Sequence, residues 1–229
     1  LHPSTCAGHP FPVAPEGRTP HNKEAMNQPA SKDLFAHKAG NYETRQNRID
    51  NIDNIAGTII ATVKLDRSMH LVDFGAGTGL LLERIAPHVR KITSIDVSPS
   101  MAKQLLEKKD RLPCELEQFE LDLEKSDAPG VYDGVISSMT LHHIHDVEAL
   151  LRKFHAMAKP GGFIAVSDLD KEDGSFHTED TGVRHYGFER SWIEGAARRA
   201  GFSEVATHNA SVISKPNSDY PVFLMTARR

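Results

Sequence analysis

The stretch Leu71-Val72-Asp73-Phe74-Gly75-Ala76-Gly77-Thr78-Gly79-Leu80-Leu81 decides how this chain folds. A short apolar run closes on Asp73, three glycines follow at alternate positions, and Leu80, Leu81, Leu82 and Ile85 then recur at helical spacing. The pattern predicts a buried strand, a turn free of Cβ atoms and a helix packed back on the sheet. Glycine takes up positive φ readily and lets a ligand approach the main chain. The first turn of the helix directs its unpaired amides at whatever fills the crevice. A second apolar run, Ile92-Thr93-Ser94-Ile95, ends in Asp96, seventeen residues past Gly79. An acid at the tip of the second strand of a βαβ unit can accept hydrogen bonds from both hydroxyls of a ribose. These residues point to an adenosine-type ligand.

Glycine spacing separates two classes of cofactor. A dinucleotide turn reads G-x-G-x-x-G and sets its amides on a pyrophosphate. Here the third glycine comes one residue early, and Asp73 stands two residues before the first. A carboxylate there repels a pyrophosphate and suits a ligand bearing an ammonium and a sulfonium. The pattern resembles the first motif of class I S-adenosylmethionine-dependent methyltransferases. Three alternatives stand beside it. One is a βα turn that binds nothing. Another is a nucleotide-cofactor oxidoreductase, which shares the βαβ unit and Asp96 but not the glycine spacing or Asp73. The third is a non-catalytic protein that keeps S-adenosylmethionine as a structural or sensory ligand.

Around this stretch the chain alternates as a doubly wound sheet should. Strands are expected at His70–Phe74, Lys91–Asp96, Glu117–Leu121, Tyr132–Ser137 and Phe163–Ser167, with two closing strands near Glu204–Val212 and Pro221–Ala227. Helices are expected near Gly79–Ala86, Ser100–Lys109, Asp146–Met157 and Glu189–Arg199, the second of them opened by a Ser98 cap and a first-turn Pro99. The expected fold class is α/β: a doubly wound, mostly parallel seven-stranded sheet with helices on both faces and the last strand antiparallel. Upstream, Ile49, Ile52, Ala56, Ile59, Ile60 and Val63 share one face, so residues 43–64 read as an amphipathic helix.

Residues 1–33 hold six of the thirteen prolines and no apolar periodicity. Such a segment cannot bury enough surface to offset its ordering entropy, so it is expected to be mobile or laid extended on a domain spanning residues 34–229. Met26 opens a plausible protein start, and residues 1–25 read as a leader or an upstream reading-frame extension. Over all 229 residues, 39% are hydrophobic, 25% are charged and the formal net charge is −4. That composition suits a globular domain with a substantial core, and leaves no basic excess to meet a phosphate backbone. Nucleic acid is therefore not the expected partner. No apolar run reaches the length of a membrane span, and Cys6 and Cys114 cannot build a disulfide framework. The chain reads as a cytoplasmic protein with reduced thiols; its oligomeric state is not legible.

The likeness to class I methyltransferases, in particular the branch holding the ubiquinone and menaquinone biosynthesis enzymes, runs from about Phe35 to the C-terminus. It implies cofactor contacts at Asp73, Gly75, Ala76, Gly77 and Thr78, although the Thr78 hydroxyl could cap the following helix instead. Asp96-Val97-Ser98-Pro99-Ser100-Met101 looks like the family's acid-x-S-x-x-M segment. There Asp96 would take the ribose hydroxyls, Val97 would lie against the adenine edge and Met101 would pack on the purine face. Asp122 sits where the family places an acid that accepts the adenine amino group, with the backbone of Leu123 meeting a ring nitrogen. Ser138 would touch the methionine portion, and Leu141-His142-His143-Ile144 would line the methyl-transfer channel. Tyr42, in an aromatic-flanked segment that closes over the cofactor in many small-molecule methyltransferases, either caps the site or serves as a packing anchor. The implied product is S-adenosyl-L-homocysteine, and the implied acceptor is a small molecule.

Methyl transfer from a sulfonium needs a nucleophile held near attack distance and kept from water. A general base is required only where the acceptor must lose a proton, and histidine suits that role near neutral pH. His142 and His143 are the candidates, the alternative being that they orient their loop and cap the next helix. The chain's thirteen histidines raise the question of a metal, but neither His142-x-x-His145 nor His143-x-His145-Asp146 carries the ligand spacing of a recognised site, and no metal is expected. The stretch from Asp168 to Phe188 lacks strong periodicity, which predicts a functional loop or lid. Within it Phe176, His185, Tyr186 and Phe188 could stack on or hydrogen-bond a small organic acceptor, and the aspartates could equally meet a cationic one; the sequence does not give the acceptor's identity.

Overall fold

The computed structural model describes residues 33–229 apart from 180 and 217; the expectations for residues 1–32 lie outside the described residues. Seven strands form one sheet: β1 (His70–Phe74), β2 (Lys91–Asp96), β3 (Glu115–Glu120), β4 (Tyr132–Ser138), β5 (Ala158–Leu169), β6 (Ser203–Lys215) and β7 (Ser218–Arg228). Their order is β3-β2-β1-β4-β5-β7-β6. The first five are parallel, and β7 runs antiparallel between β5 and β6. From β1 the chain moves outward to β2 and β3, then returns to place β4 on the other side of β1. Such a reversal opens a crevice beyond the C-terminal strand ends, where ligands of open α/β sheets bind.

The central strands are buried on both faces because helices cover both. On one side α1 (Gln46–Thr62), α2 (Leu80–Ile85) and Leu105 of α3 (Pro99–Leu106) pack on Leu71, Ile92, Ile136 and Phe163. On the other, α4 (Val147–Met157) and α5 (Arg190–Arg199) pack on Val72, Val135, Ile164 and Val166. Neighbouring residues such as Val135 and Ile136 fall into opposite cores, the period-two rule of a pleated strand. Each core is anchored by fully buried side chains, Ile55 and Ile59 on one side and Phe154 on the other. Cutting Phe154 to Ala would cost about 3–5 kcal/mol. Among the described residues no helix is long and apolar enough to cross a membrane.

Several element ends differ from the sequence expectation, and three differences among the strands have a clear cause in the pairing. β3 begins at Glu115 and ends at Glu120 because it pairs in register with all of β2, from Lys91 to Asp96, which leaves Asp122 beyond the strand. β5 begins at Ala158 and takes in Lys159-Pro160-Gly161-Gly162, because Tyr132 pairs with Ala158 ahead of a register shift. The β6–β7 hairpin runs on to Lys215 and Ser218, since pairing continues through Ile213 and Tyr220, both buried.

Candidate active site

The glycine turn is built as its spacing requires. Gly75, Gly77 and Gly79 all have positive φ, at 69°, 54° and 87°. A Cβ on Gly75 would lie 2.3 Å from the Thr140 side chain, and one on Gly79 would lie 2.4 Å from Leu105, so both positions are closed by packing. A Cβ on Gly77 would meet nothing within 4 Å. Gly77 therefore presents its backbone to open space, and Gly75 holds the turn against the exit of β4. Ala76 between them is buried.

Two carboxylates face this turn. Asp73 is 1% exposed, and its Oδ2 has no hydrogen-bond partner. Burial first, and then the nearby Asp96 charge, hold its carboxyl well above the usual carboxylate range. A buried acid left unanswered is costly unless a donor or cation arrives to meet it. Asp96, at the tip of β2, accepts N–H bonds from Gly77 at 2.7 Å and Ser98 at 2.8 Å. Burial raises this acid too, against the lowering effect of those amides. Two like charges at one amide-lined crevice suit a cationic ligand and oppose a diphosphate.

The flanking residues fall at the same end of the sheet in different states. Ser98 caps α3 by accepting from the Met101 amide at 3.3 Å. Met101 is buried yet joins neither core cluster, whereas Val97 is 47% exposed. Thr78 is buried with an unpartnered hydroxyl and does not cap α2, whose N-cap is Gly79. The Ser138 hydroxyl, at the end of β4, is likewise buried and unpartnered. Asp122 turns its carboxylate to local work, accepting from the Glu124 amide at 2.9 Å and pairing with Lys125 at 2.7 Å. Leu123 beside it is 1% exposed and packs with the core.

Past β4 the chain leaves through Met139 at φ 54°, a left-handed conformation that is strained for a side chain of this size. It brings His142 against Asp168 at the tip of β5. The Asp168 Oδ1 lies 2.7 Å from His142 Nδ1, and Oδ2 accepts the His142 backbone N–H at 3.1 Å. Both residues are buried, at 4% and 0% exposure. Burial works to raise the Asp168 carboxyl, but His142 and the surrounding amides outweigh it and hold the acid below its ordinary value. His143, its ring centroid 4.2 Å from that of His142, is pushed down to about 4 by burial and by its neighbour's like charge. His177 from the β5–α5 connection stands 5.1 Å from His142. Neither histidine of the pair caps α4; that role belongs to Asp146, which accepts from Ala149 at 2.8 Å. Among the described residues no group of three or more His, Cys, Asp or Glu could hold a metal ion.

Two segments meet beside the site. The β5–α5 connection is folded on itself by the Asp170–Phe188 bridge and by the Glu172 N–H to Tyr186 bond. It meets the segment before α1 through Lys38–Glu179 at 2.8 Å, while Phe35 stands edge-on to His143 at 5.5 Å. Tyr42 lies beneath Arg48 at 4.1 Å. Burial raises its phenol, Arg48 opposes that rise and the Asp96 charge adds to it, which places the ring within electrostatic reach of the crevice.

Two acids of this region escaped the sequence reading. Asp33 accepts from the Ser98 hydroxyl at 2.8 Å and the Ser100 amide at 3.1 Å, bracing the start of α3 from 65 residues away; no local spacing signals it. Asp168 was legible only as the start of a loop. Its signal is topological: with β4 beside β5 and Ser138 opposite Ser167, the next residue must face the chain leaving β4.

Comparison with known proteins agrees with this geometry. A family model described as a methyltransferase domain matches residues 43–210. A methyltransferase of Schizosaccharomyces pombe, itself uncharacterized, is 31% identical over 168 residues, 66% of this chain and 57% of its own length. The ubiquinone biosynthesis O-methyltransferase of Xanthomonas campestris is 29% identical over 119 residues, 50% of this chain and 49% of its own. The chain thus spans about half the length of these relatives. Among solved structures, a chain in the complex of the Haloferax volcanii Trm112 methyltransferase activator with a methyltransferase superposes with TM-score 0.70 at 18% identity, covering 86% of this chain and 98% of that one. Magnesium protoporphyrin IX methyltransferase from Synechocystis, with S-adenosylmethionine bound, superposes with TM-score 0.60 at 19% identity, covering 85% and 84%. At these identities the structural likeness establishes the fold.

Proposed function

The chain belongs to the methyltransferase-domain family, and from that premise we propose that it binds S-adenosylmethionine in the β1–β2 crevice and transfers the methyl group to a small-molecule acceptor. The observation that carries this reading is the unanswered Asp73 oxygen beside an open Gly77 backbone, with Asp96 opposite. A ligand with an ammonium, a ribose and a sulfonium satisfies all three. Asp73 would meet the ammonium, and the Gly75–Thr78 turn would hold the amino-acid end. Asp96 would exchange backbone amides for ribose hydroxyls. Met101 would pack on the purine, with Val97, Asp122 and Leu123 at its edge. Ser138 offers a free hydroxyl toward the methionine portion.

When bound, the cofactor supplies an electrophilic methyl carbon on a sulfur that leaves as a neutral thioether. The protein's task is then to seat the acceptor in line and to exclude water. His142 and His143 line the far side of that path, and the β5–α5 connection with the Phe35–Tyr42 segment covers it. Isothermal titration with S-adenosylmethionine, S-adenosylhomocysteine and a nicotinamide dinucleotide tests the binding step: the first two should bind at micromolar strength and the third should not. Uptake of the dinucleotide alone would remove the assignment. Release of S-adenosylhomocysteine with a panel of small acceptors tests catalysis.

A further inference from the structure

The buried Asp168–His142 pair does more than brace a loop. Asp168 Oδ1 takes both His142 Nδ1 and the Leu169 N–H at 2.7 Å, and Oδ2 takes the His142 N–H. A carboxylate with so many donors stays ionised. It therefore selects the tautomer with the proton on Nδ1, and Nε2 keeps its lone pair. The ring packs against those of His143 and His177, at 4.2 and 5.1 Å between centroids. Of these neighbours, His143 Nδ1 and His177 Nε2 are buried without a hydrogen-bond partner. The wall is polar: Asp168 is fully committed, and Glu172 turns Oε2 to the Gly174 and Phe176 amides while its Oε1 is buried without a partner. His143 also bonds the Gly182 backbone, so its unpartnered Nδ1 keeps a lone pair that a hydroxyl donor would meet, and the rings of Phe35, Phe176 and Tyr186 stand against the same imidazoles.

We propose that the acceptor carries a dissociable hydroxyl of the phenol or enol type, that His142 Nε2 takes its proton, and that Asp168 is the positioning residue for that histidine. This rests on the cofactor reading above. The O–H proton moves to Nε2 and the oxygen lone pair forms the new O–CH3 bond. The C–S electron pair stays on sulfur, and the imidazolium later returns its proton to water, so one proton is released per turnover.

The test uses the full chain loaded with S-adenosylhomocysteine, and 4-nitrophenol as the probe, since its absorbance reports its own ionisation. The bound probe should appear as phenolate at a pH where the free probe is mostly phenol. His142→Gln should abolish that shift, and Asp168→Asn should weaken it by roughly tenfold or more through loss of the tautomer. Nitrogen-15 NMR of the wild-type protein should find the His142 proton on Nδ1, a readout that needs neither variant nor ligand. No saturable binding of the probe to the loaded protein, an un-ionised bound probe, a shift that survives His142→Gln, preferential binding of benzylamine, or a proton on Nε2 would each overturn the proposal. Calorimetry with S-adenosylhomocysteine on the same sample separates the two readings. Failure there removes the cofactor, while the tautomer measurement still judges the pair.

Discussion

Gly77 donates its backbone N–H to the Asp96 carboxylate at 2.7 Å, joining the glycine turn to the strand across the crevice. The acid thus has a structural partner before any ligand arrives, and ribose binding must replace or share that bond. Asp96→Ala is expected to weaken S-adenosylmethionine binding by about 1.5–3 kcal/mol, the scale of charge-assisted hydrogen bonds. That is roughly tenfold to a hundredfold in Kd, read by isothermal titration. Affinity equal to wild type would mean that Asp96 only braces the turn.

Asp73 sets ligand binding against stability. Its carboxyl is held well above 3.8 in the fold, first by burial and then by Asp96. An acid raised in this way costs the fold increasing stability as pH climbs from the unfolded value toward the folded one. Asp73→Asn removes the ionisable group, so the ligand-free variant should be more stable than wild type at neutral pH. The gap should close on acidification. The same variant should bind S-adenosylmethionine more weakly. Thermal melts from acid to neutral pH, with and without ligand, read both effects, and a variant less stable than wild type at neutral pH would refute the first.

His143 carries the opposite pH signature. Burial and His142 hold it at about 4, against 6.5 for a free imidazole. As pH falls below 6.5 the unfolded chain takes up the proton first, so stability should decline from there to about 4 and then level off for this group. The full loss is on the order of 3 kcal/mol. His143→Gln should flatten this part of the denaturation profile while leaving the neutral-pH stability close to wild type. An unchanged slope would place the acid sensitivity elsewhere.

Much of the site could be read from the chain because its parts are local. Asp73, the three glycines and Asp96 lie within one βαβ unit, whose geometry is fixed by strand and helix periods. The doubly wound, mostly parallel sheet followed from the same alternation. What escaped was long-range. Asp33 reaches α3 across 65 residues, and Asp168 meets His142 only because β4 and β5 lie side by side. Asp122 illustrates a third limit. Register with β2 ends β3 at Glu120, and the acid two residues on turns to its own loop. The strand end is set by pairing with another strand, which the local pattern does not carry.

Gly75 and Gly77 give one substitution two different meanings. Both have positive φ, so Ala at either position meets a left-handed strain of about 1–2 kcal/mol. At Gly75 the new methyl group would also lie 2.3 Å from Thr140, which is held by its own bond to the Ser138 carbonyl at 3.0 Å. Overpacking adds about 1–3 kcal/mol, so Gly75→Ala should lower the melting temperature clearly in the absence of ligand. At Gly77 the methyl group enters open crevice, and the loss of stability should stop at the strain. That methyl would instead occupy the space where the cofactor must approach the backbone. Gly77→Ala should therefore fold nearly as wild type and lose S-adenosylmethionine binding by at least tenfold, or about 1.4 kcal/mol. Melting curves and titrations on the two variants separate these effects. A Gly77→Ala protein that binds normally would show that the ligand keeps its distance from the turn, and the crevice would then have to be assigned to something else.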